Sequence, residues 1–104
     1  MKYYLVLIIE SYLEPDLLDK EIERPLRQNL EGIGVIGKCM AEYISRKNQL
    51  EFRYIKVDFI VYELVEGINR IKSFLQKKSL LDKSDLKFSR GHYNLLKEGY
   101  ESTY

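Results

Sequence analysis

The residue pattern predicts an α+β domain: a four-stranded antiparallel sheet with two helices on one face, in the order strand, helix, strand, strand, helix, strand. Three observations carry that expectation. Runs rich in β-branched and aromatic residues recur over 2–10, 35–45 and 51–62, the composition of a pleated, packed surface. Apolar residues at helical spacing mark 13–31 and 64–78. The polar link 46–50 is short enough to make its flanking strands a hairpin. The chain has 104 residues, the length of one domain, and enough to bury a core.

The first strand reads KYYLVLIIE over 2–10. Apolar at nearly every position, it reads as a central strand covered on both sides. A one-sided sheet would leave either Tyr4, Val6 and Ile8 or Leu5, Leu7 and Ile9 on the bare face. In the next segment Leu18, Ile22, Leu26 and Leu30 recur every four residues and form a stripe. Pro25 interrupts it, because proline has no N–H and disfavours helix at the residue before it. Either one helix kinks there, or a short turn over 16–21 precedes a helix with Pro25 in its first turn, the arrangement we favour. Gly32 and Gly34 end the helix.

Within the second strand Gly37 marks a bulge or bend. In the third, Ile55, Val57, Phe59 and Val61 alternate with Tyr54, Lys56, Asp58, Ile60 and Tyr62, so one set faces the helices and the other the bare side. The second helix carries Leu64, Ile68, Ile71 and Leu75 on one face, with Lys77 and Lys78 suited to its C-terminal dipole. A loop over 79–85 leads to a short last strand over 86–90. The organisation is therefore a ferredoxin-like βαββαβ domain over 1–90 with a C-terminal extension over 91–104. The extension has no clear period; it packs through Tyr93, Leu95 and Leu96 or frays.

Charge and composition narrow the chemistry. Seventeen basic and sixteen acidic residues give a net charge of +1, which excludes a dominantly basic nucleic-acid binder and an acidic disordered tail. Residues 1–36 carry seven acids and four bases, net −3; residues 37–104 carry nine acids and thirteen bases, net +4. Such a dipole suits a protein partner or self-association. One cysteine, Cys39, excludes an internal disulfide. One histidine, His92, excludes a paired-histidine metal site. We expect no metal or cofactor and no enzymatic activity. The apolar opening run is too short for a membrane span and no cleavage pattern follows it, so no membrane partner is expected. A free thiol without a targeting signal fits a reducing cytoplasm.

Three groups of residues are candidates for function. Glu14, Asp16, Asp19, Glu21 and Glu23 cluster around the start of the first helical segment. They form either an acidic face for a basic partner or a solvated helix surface with acids favourably near its N-terminus. Asp58 sits mid-strand on the bare face, either as a binding contact or as half of a cross-strand pair with Lys38. Tyrosine, at nine residues, supplies most of the amphipathic aromatic area, and Tyr54 and Tyr62 fall on the uncovered side where an interface anchor would lie. RNA binding is disfavoured. The third strand, FRYIKVDFIVY, lacks the glycine of the RNA-recognition-motif signature and turns an acid outward. Cys39 lies beside Met40 and Ala41, as a small buried apolar residue would.

Taken together, Pro25-Leu26, the glycine turn Gly32-Ile33-Gly34-Val35, the run Tyr54-Ile55-Lys56-Val57-Asp58, the helix around Gly67-Ile68 and the strand Leu86-Lys87-Phe88 resemble one group of proteins. These are small ferredoxin-like immunity proteins of bacterial contact-dependent growth inhibition and other polymorphic toxin systems. The resemblance spans roughly residues 1–90. It implies a non-enzymatic cytoplasmic protein that binds and neutralises a cognate protein toxin, commonly a nuclease with a basic cleft. On that reading Glu14, Asp16, Asp19 and Glu23 supply charge, Tyr54 and Tyr62 a desolvated anchor, and Asp58 a polar contact. The alternative is a ferredoxin-like regulatory or small-ligand-binding module acting as a homodimer.

Overall fold

Alternation along the central strands divides the molecule into a buried side and a bare side. The structure is a computed structural model describing residues 2–11, 13, 15–46, 49–88, 91–94 and 99–102. Its strands are β1 (Tyr3–Glu10), β2 (Gly34–Arg46), β3 (Gln49–Val61), β4 (Ser84–Phe88), β5 (Gly91–Asn94) and β6 (Gly99–Ser102); its helices are α1 (Arg24–Asn29) and α2 (Leu64–Lys77). The sheet order is β2-β3-β1-β4-β5-β6, with every pairing antiparallel. Hence β3 lies between β1 and β2, which run parallel, and β1 lies between β3 and β4, which also run parallel. That is the split βαβ arrangement of a ferredoxin-like α+β fold.

Leu5, Leu7 and Ile9 of β1, Ile55, Val57, Phe59 and Val61 of β3, and Leu86 of β4 are all buried. They form one core with Ile22, Leu26 and Leu30 from the first helical segment and Ile68, Ile71, Phe74 and Leu75 from α2. Both helices therefore cover the same face. The intervening residues of β1, Tyr4, Val6 and Ile8, are exposed or half-buried. This corrects the expectation that β1 is covered on both sides: it is central in the sheet, yet among the described residues only one of its faces is under helix.

Pro25 lies in the first turn of α1, as favoured from the sequence, but the residues before it are helical rather than a turn. A single 3₁₀ turn over Pro15–Leu17 leads into a π-helical turn over Asp19–Glu23, in which the Arg24 N–H donates to the Asp19 carbonyl five residues back. The cause is steric. The Pro25 ring brings no donor and crowds the carbonyl four residues earlier, so the helix widens ahead of it rather than breaking. Ile22 stays in the stripe and is buried. Past α1, Gly32 takes φ +87, a left-handed conformation that glycine adopts at no steric cost. The Gly34 N–H then reaches back to the Leu30 carbonyl at 2.9 Å.

Two residues tie the helices together. Asn29 Nδ2 donates to the Arg70 carbonyl at 2.7 Å, and Arg70 Nη1 donates to the carbonyls of Asn29 at 3.1 Å and Glu31 at 3.3 Å. The guanidinium thus satisfies carbonyls at the end of α1 that have no intrahelical partner.

The remaining differences are at the edges. The last expected strand begins two residues earlier, at Ser84, after a 3₁₀ turn over Leu81–Lys83. The C-terminal segment adds β5 and β6, which continue the sheet beyond β4. Leu95 and Leu96 lie outside the described residues. Gly37 is a bulge, as its position in β2 predicts: the register with β3 shifts between Ile36 and Lys38.

Candidate functional site

The bare face of the sheet is a grid whose rows follow from strand register, since directly opposed residues share a face. One row runs Val35, Ile60, Tyr4; the next Lys38, Asp58, Val6, Lys87; the next Met40, Lys56, Ile8, Asp85; the last Glu42, Tyr54, Glu10. Tyr4 is 61% exposed and Val35 47%, while Val6, Ile8, Met40 and Ile60 are half-buried by their neighbours. At the centre is a shallow concavity of about 310 Å³ lined by Tyr4, Val6, Gly37, Asp58 and Ile60. The missing side chain at Gly37 helps open it. A Cβ there would lie 3.8 Å from the Asp58 carbonyl oxygen and 3.9 Å from the Asp58 Cβ.

Charge on this face is mixed. Asp58 is half-buried and opposes Lys38 in register, but no ion pair joins them among the described residues. The cross-strand pair that the sequence offers as the plain reading of Asp58 is therefore not formed. Lys87 instead lies 3.7 Å from Asp85, on its own strand. Toward the other end, the Tyr54 hydroxyl donates to Glu42 Oε2. That bond to a carboxylate pushes the phenol pKa up, with desolvation adding to it. Tyr62 lies one residue past the end of β3, 46% exposed, its N–H donating to the Ile33 carbonyl at 2.8 Å.

The acidic cluster belongs to the other side of the molecule. The segment carrying Asp16, Asp19 and Glu23 packs through Ile22 into the helix-covered core, whereas Tyr54 and Asp58 face away from it. The structure thus does not bring the two sets of sequence candidates together. Glu14 lies outside the described residues. Much of the acidic charge is also matched locally. Asp19 pairs with Arg24 at 2.6 Å, Glu23 with Arg27 at 3.3 Å and Glu21 with Lys78 at 2.9 Å. The hydrogen bond and charge of Lys78 hold the Glu21 carboxyl below its usual range. Such exposed pairs add little stability, but they leave the helix layer a mosaic rather than a sheet of negative charge.

Other groups are committed to structure. Cys39 packs against the core; burial, then the nearby Glu23 and Asp19 charges, push its thiol up to about 11, so it stays protonated and weakly nucleophilic near neutral pH. A groove of about 370 Å³ between α1 and α2 is lined by Pro25, Gln28, Asn29, Phe74, Lys77 and Lys78, but Asn29 already holds Arg70 and Lys78 already holds Glu21. Among the described residues no group of three or more His, Cys, Asp or Glu is placed to hold a metal ion. Nor, among them, is any helix long and apolar enough to cross a membrane.

Sequence reasoning picked out Tyr54, Asp58 and Tyr62 but not Tyr4 and Val35, the most exposed apolar residues of the bare face. The signal was present. Once Leu5, Leu7 and Ile9 are assigned to the core, alternation leaves Tyr4 outside, and the antiparallel register sets Val35 beside Ile60. No protein-family model matches the chain, and no curated protein matches it.

Proposed function

We propose that this chain is a non-enzymatic, immunity-type protein that neutralises a cognate bacterial toxin in the cytoplasm, docking on it through the uncovered face of the sheet. The observation that carries the reading is the apolar patch of exposed Tyr4 and Val35 with half-buried Ile60 between them, beside a carboxylate, Asp58, that has no partner among the described residues. A protein partner satisfies both needs at once. Its apolar side chains desolvate the aromatic and branched residues, and a lysine or arginine takes up Asp58. Aromatic anchors ringed by polar residues dominate the energetics of such interfaces. The resemblance to immunity proteins supplies the kind of partner, a toxin with a basic cleft.

Placing the interface here moves it from the acids of the first helical segment. Asp19 and Glu23 already stand beside arginines, whose positive charge offsets theirs toward a basic cleft. Asp58 is in no such pair among the described residues, and Tyr54 lies four residues from it on the same face.

The test is co-purification with the product of an adjacent toxin-like gene. The wild-type chain is expected to form a stable complex and to suppress the toxin's activity. Tyr4→Ala and Asp58→Lys are each expected to weaken it about thirtyfold or more, the scale of a hot-spot residue, while Asp16→Asn leaves it unchanged. Absence of any complex, or open-face variants that bind like wild type, would count decisively against the reading.

A further inference from the structure

The edge of the sheet at β2 is long and self-complementary, and the geometry points to a second copy of this chain as its occupant. β2 has thirteen residues and, among the described residues, pairs on one side only, with β3. Its register irregularities lie between Ile36 and Lys38 and between Ile44 and Ser45. Between them, Lys38 to Ile44 run in unbroken register along β3. An edge strand turns a row of backbone N–H and C=O groups outward, and proteins ordinarily blunt such edges with proline, bulges, charged side chains or a covering element; the charges on this stretch, Lys38 and Glu42, are of opposite sign. Here the sequence of β2 holds no proline and both irregularities sit outside the regular stretch.

The order of residues in that stretch selects the partner. Two copies joined edge to edge across a two-fold axis run antiparallel, and residues opposed across the junction must share a face. Centred on Met40, this pairing sets Lys38 of one copy opposite Glu42 of the second, Cys39 opposite Ala41, and Met40 opposite Met40. The two-fold makes each unlike pair occur twice. Lys38 and Glu42 belong to the bare face, opposing Asp58 and Tyr54 of β3. Lys38 is exposed and has no partner among the described residues. Glu42 is held by the Tyr54 hydroxyl through Oε2, which leaves Oε1 for a cation. Shifting the centre to Cys39 sets Lys38 against Met40 and Glu42 against Ile36; shifting it to Ala41 sets Lys38 against Ile44 and Glu42 against Met40. Among these neighbouring registers, the one centred on Met40 matches charge with charge. A net charge of +1 opposes the approach of two copies only weakly. The product is one continuous sheet with all helices on one side and the two bare faces merged on the other.

The experiment is sedimentation velocity on the full chain from micromolar to millimolar concentration. A reversible monomer–dimer equilibrium is expected. Lys38→Glu turns both unlike pairs into like ones and is expected to weaken the dimer about tenfold or more; the swap of Lys38→Glu with Glu42→Lys restores it. Far-ultraviolet circular dichroism confirms that each variant is folded. Register is read by cross-linking. In a Cys39→Ser background, Met40→Cys is expected to form an intermolecular disulfide on mild oxidation, since directly opposed Cα atoms lie roughly 4.5–5.5 Å apart. Native Cys39 sits diagonally from its copy, roughly 7–8 Å away, and should not cross-link. A chain that stays monomeric throughout, a dimer indifferent to Lys38→Glu, or cross-linking at Cys39 in place of position 40 overturns the inference.

Discussion

Gly67 of α2 is buried against Val61 of β3, and replacing it with alanine sets two effects of opposite sign against each other. Alanine is favoured over glycine inside a helix by roughly 0.5–1 kcal/mol. Against that, a Cβ at position 67 would lie 3.1 Å from Val61 Cγ1, 3.2 Å from Val61 Cβ and 3.4 Å from Val61 Cγ2, all inside the roughly 3.5–4.0 Å of relaxed carbon contacts. Val61 cannot easily retreat: it is fully buried and β-branched, hence stiff about χ1. Overpacking of this kind costs about 1–3 kcal/mol. The clash wins, and Gly67→Ala is expected to destabilise the protein by about 1 kcal/mol, a drop of about 4–8 °C in Tm for a domain of this size. Val61→Ala removes both methyl groups and leaves only the Cβ contact, to which the helix can adjust by a few tenths of an ångström once the methyls are gone. In that background Gly67→Ala should become stabilising, a coupling of about 1 kcal/mol or more. Urea unfolding followed by circular dichroism gives all four corners of the cycle. A wild-type background in which Gly67→Ala raises stability would refute the reasoning, since α2 would then not be seated on Val61.

Further predictions concern the helix layer and its titrating groups. Arg70→Ala strips the carbonyls of Asn29 and Glu31 of their donor and, since water reaches the partly exposed carbonyls, should cost about 0.5–1.5 kcal/mol in urea unfolding; Arg70→Lys, lacking the planar fork, should recover only part of it. Cys39 should react negligibly with thiol reagents at neutral pH and become reactive as the pH approaches about 11. Because its folded-state pKa lies above the ordinary value of 9.0, the thiol favours the folded state below that value, and its contribution fades as the pH rises toward 11. Cys39→Ala should flatten that part of the stability profile. Lys78 holds Glu21 below 4.5, so this pair contributes above that pH and is lost as acid protonates the carboxylate. Unfolding midpoints for Lys78→Met across roughly pH 3–6 should fall less steeply than those of wild type, and added salt should narrow the gap.

The parts of this fold that were legible in the sequence are those where one physical rule acted alone. β3 alternates strictly because one of its faces meets the core and the other does not, and α2 repeats at helical spacing for the same reason. The bulge at Gly37 followed from a glycine in an otherwise branched and apolar run. Where two rules competed, sequence was ambiguous. β1 is apolar on both faces, so its pattern alone did not show which face is bare; that waits on knowing that Leu5, Leu7 and Ile9 oppose the helices. At Pro25, helix propensity, the apolar stripe and the missing N–H pull in different directions, and the widened turn before it is a compromise that spacing does not announce. The added strands β5 and β6 pair locally with β4 and with each other, and a segment without a period gives no sign of that. The site suffered most. Acids adjacent in sequence looked like a surface, but Arg24, Arg27 and Lys78 supply their counter-charges, and Lys78 is remote in the chain.

The uncovered face is the claim on which the rest stands, and solvent paramagnetic relaxation measured on side-chain methyl groups tests it most directly. With a soluble gadolinium chelate, the methyls of Val6, Val35 and Ile60 should relax strongly, while those of Leu5, Leu7, Ile55 and Val57, alternating with them across the sheet, stay protected. Equal protection of both sets in the monomer would mean that something covers that face, and the interface assigned to it would have to be abandoned.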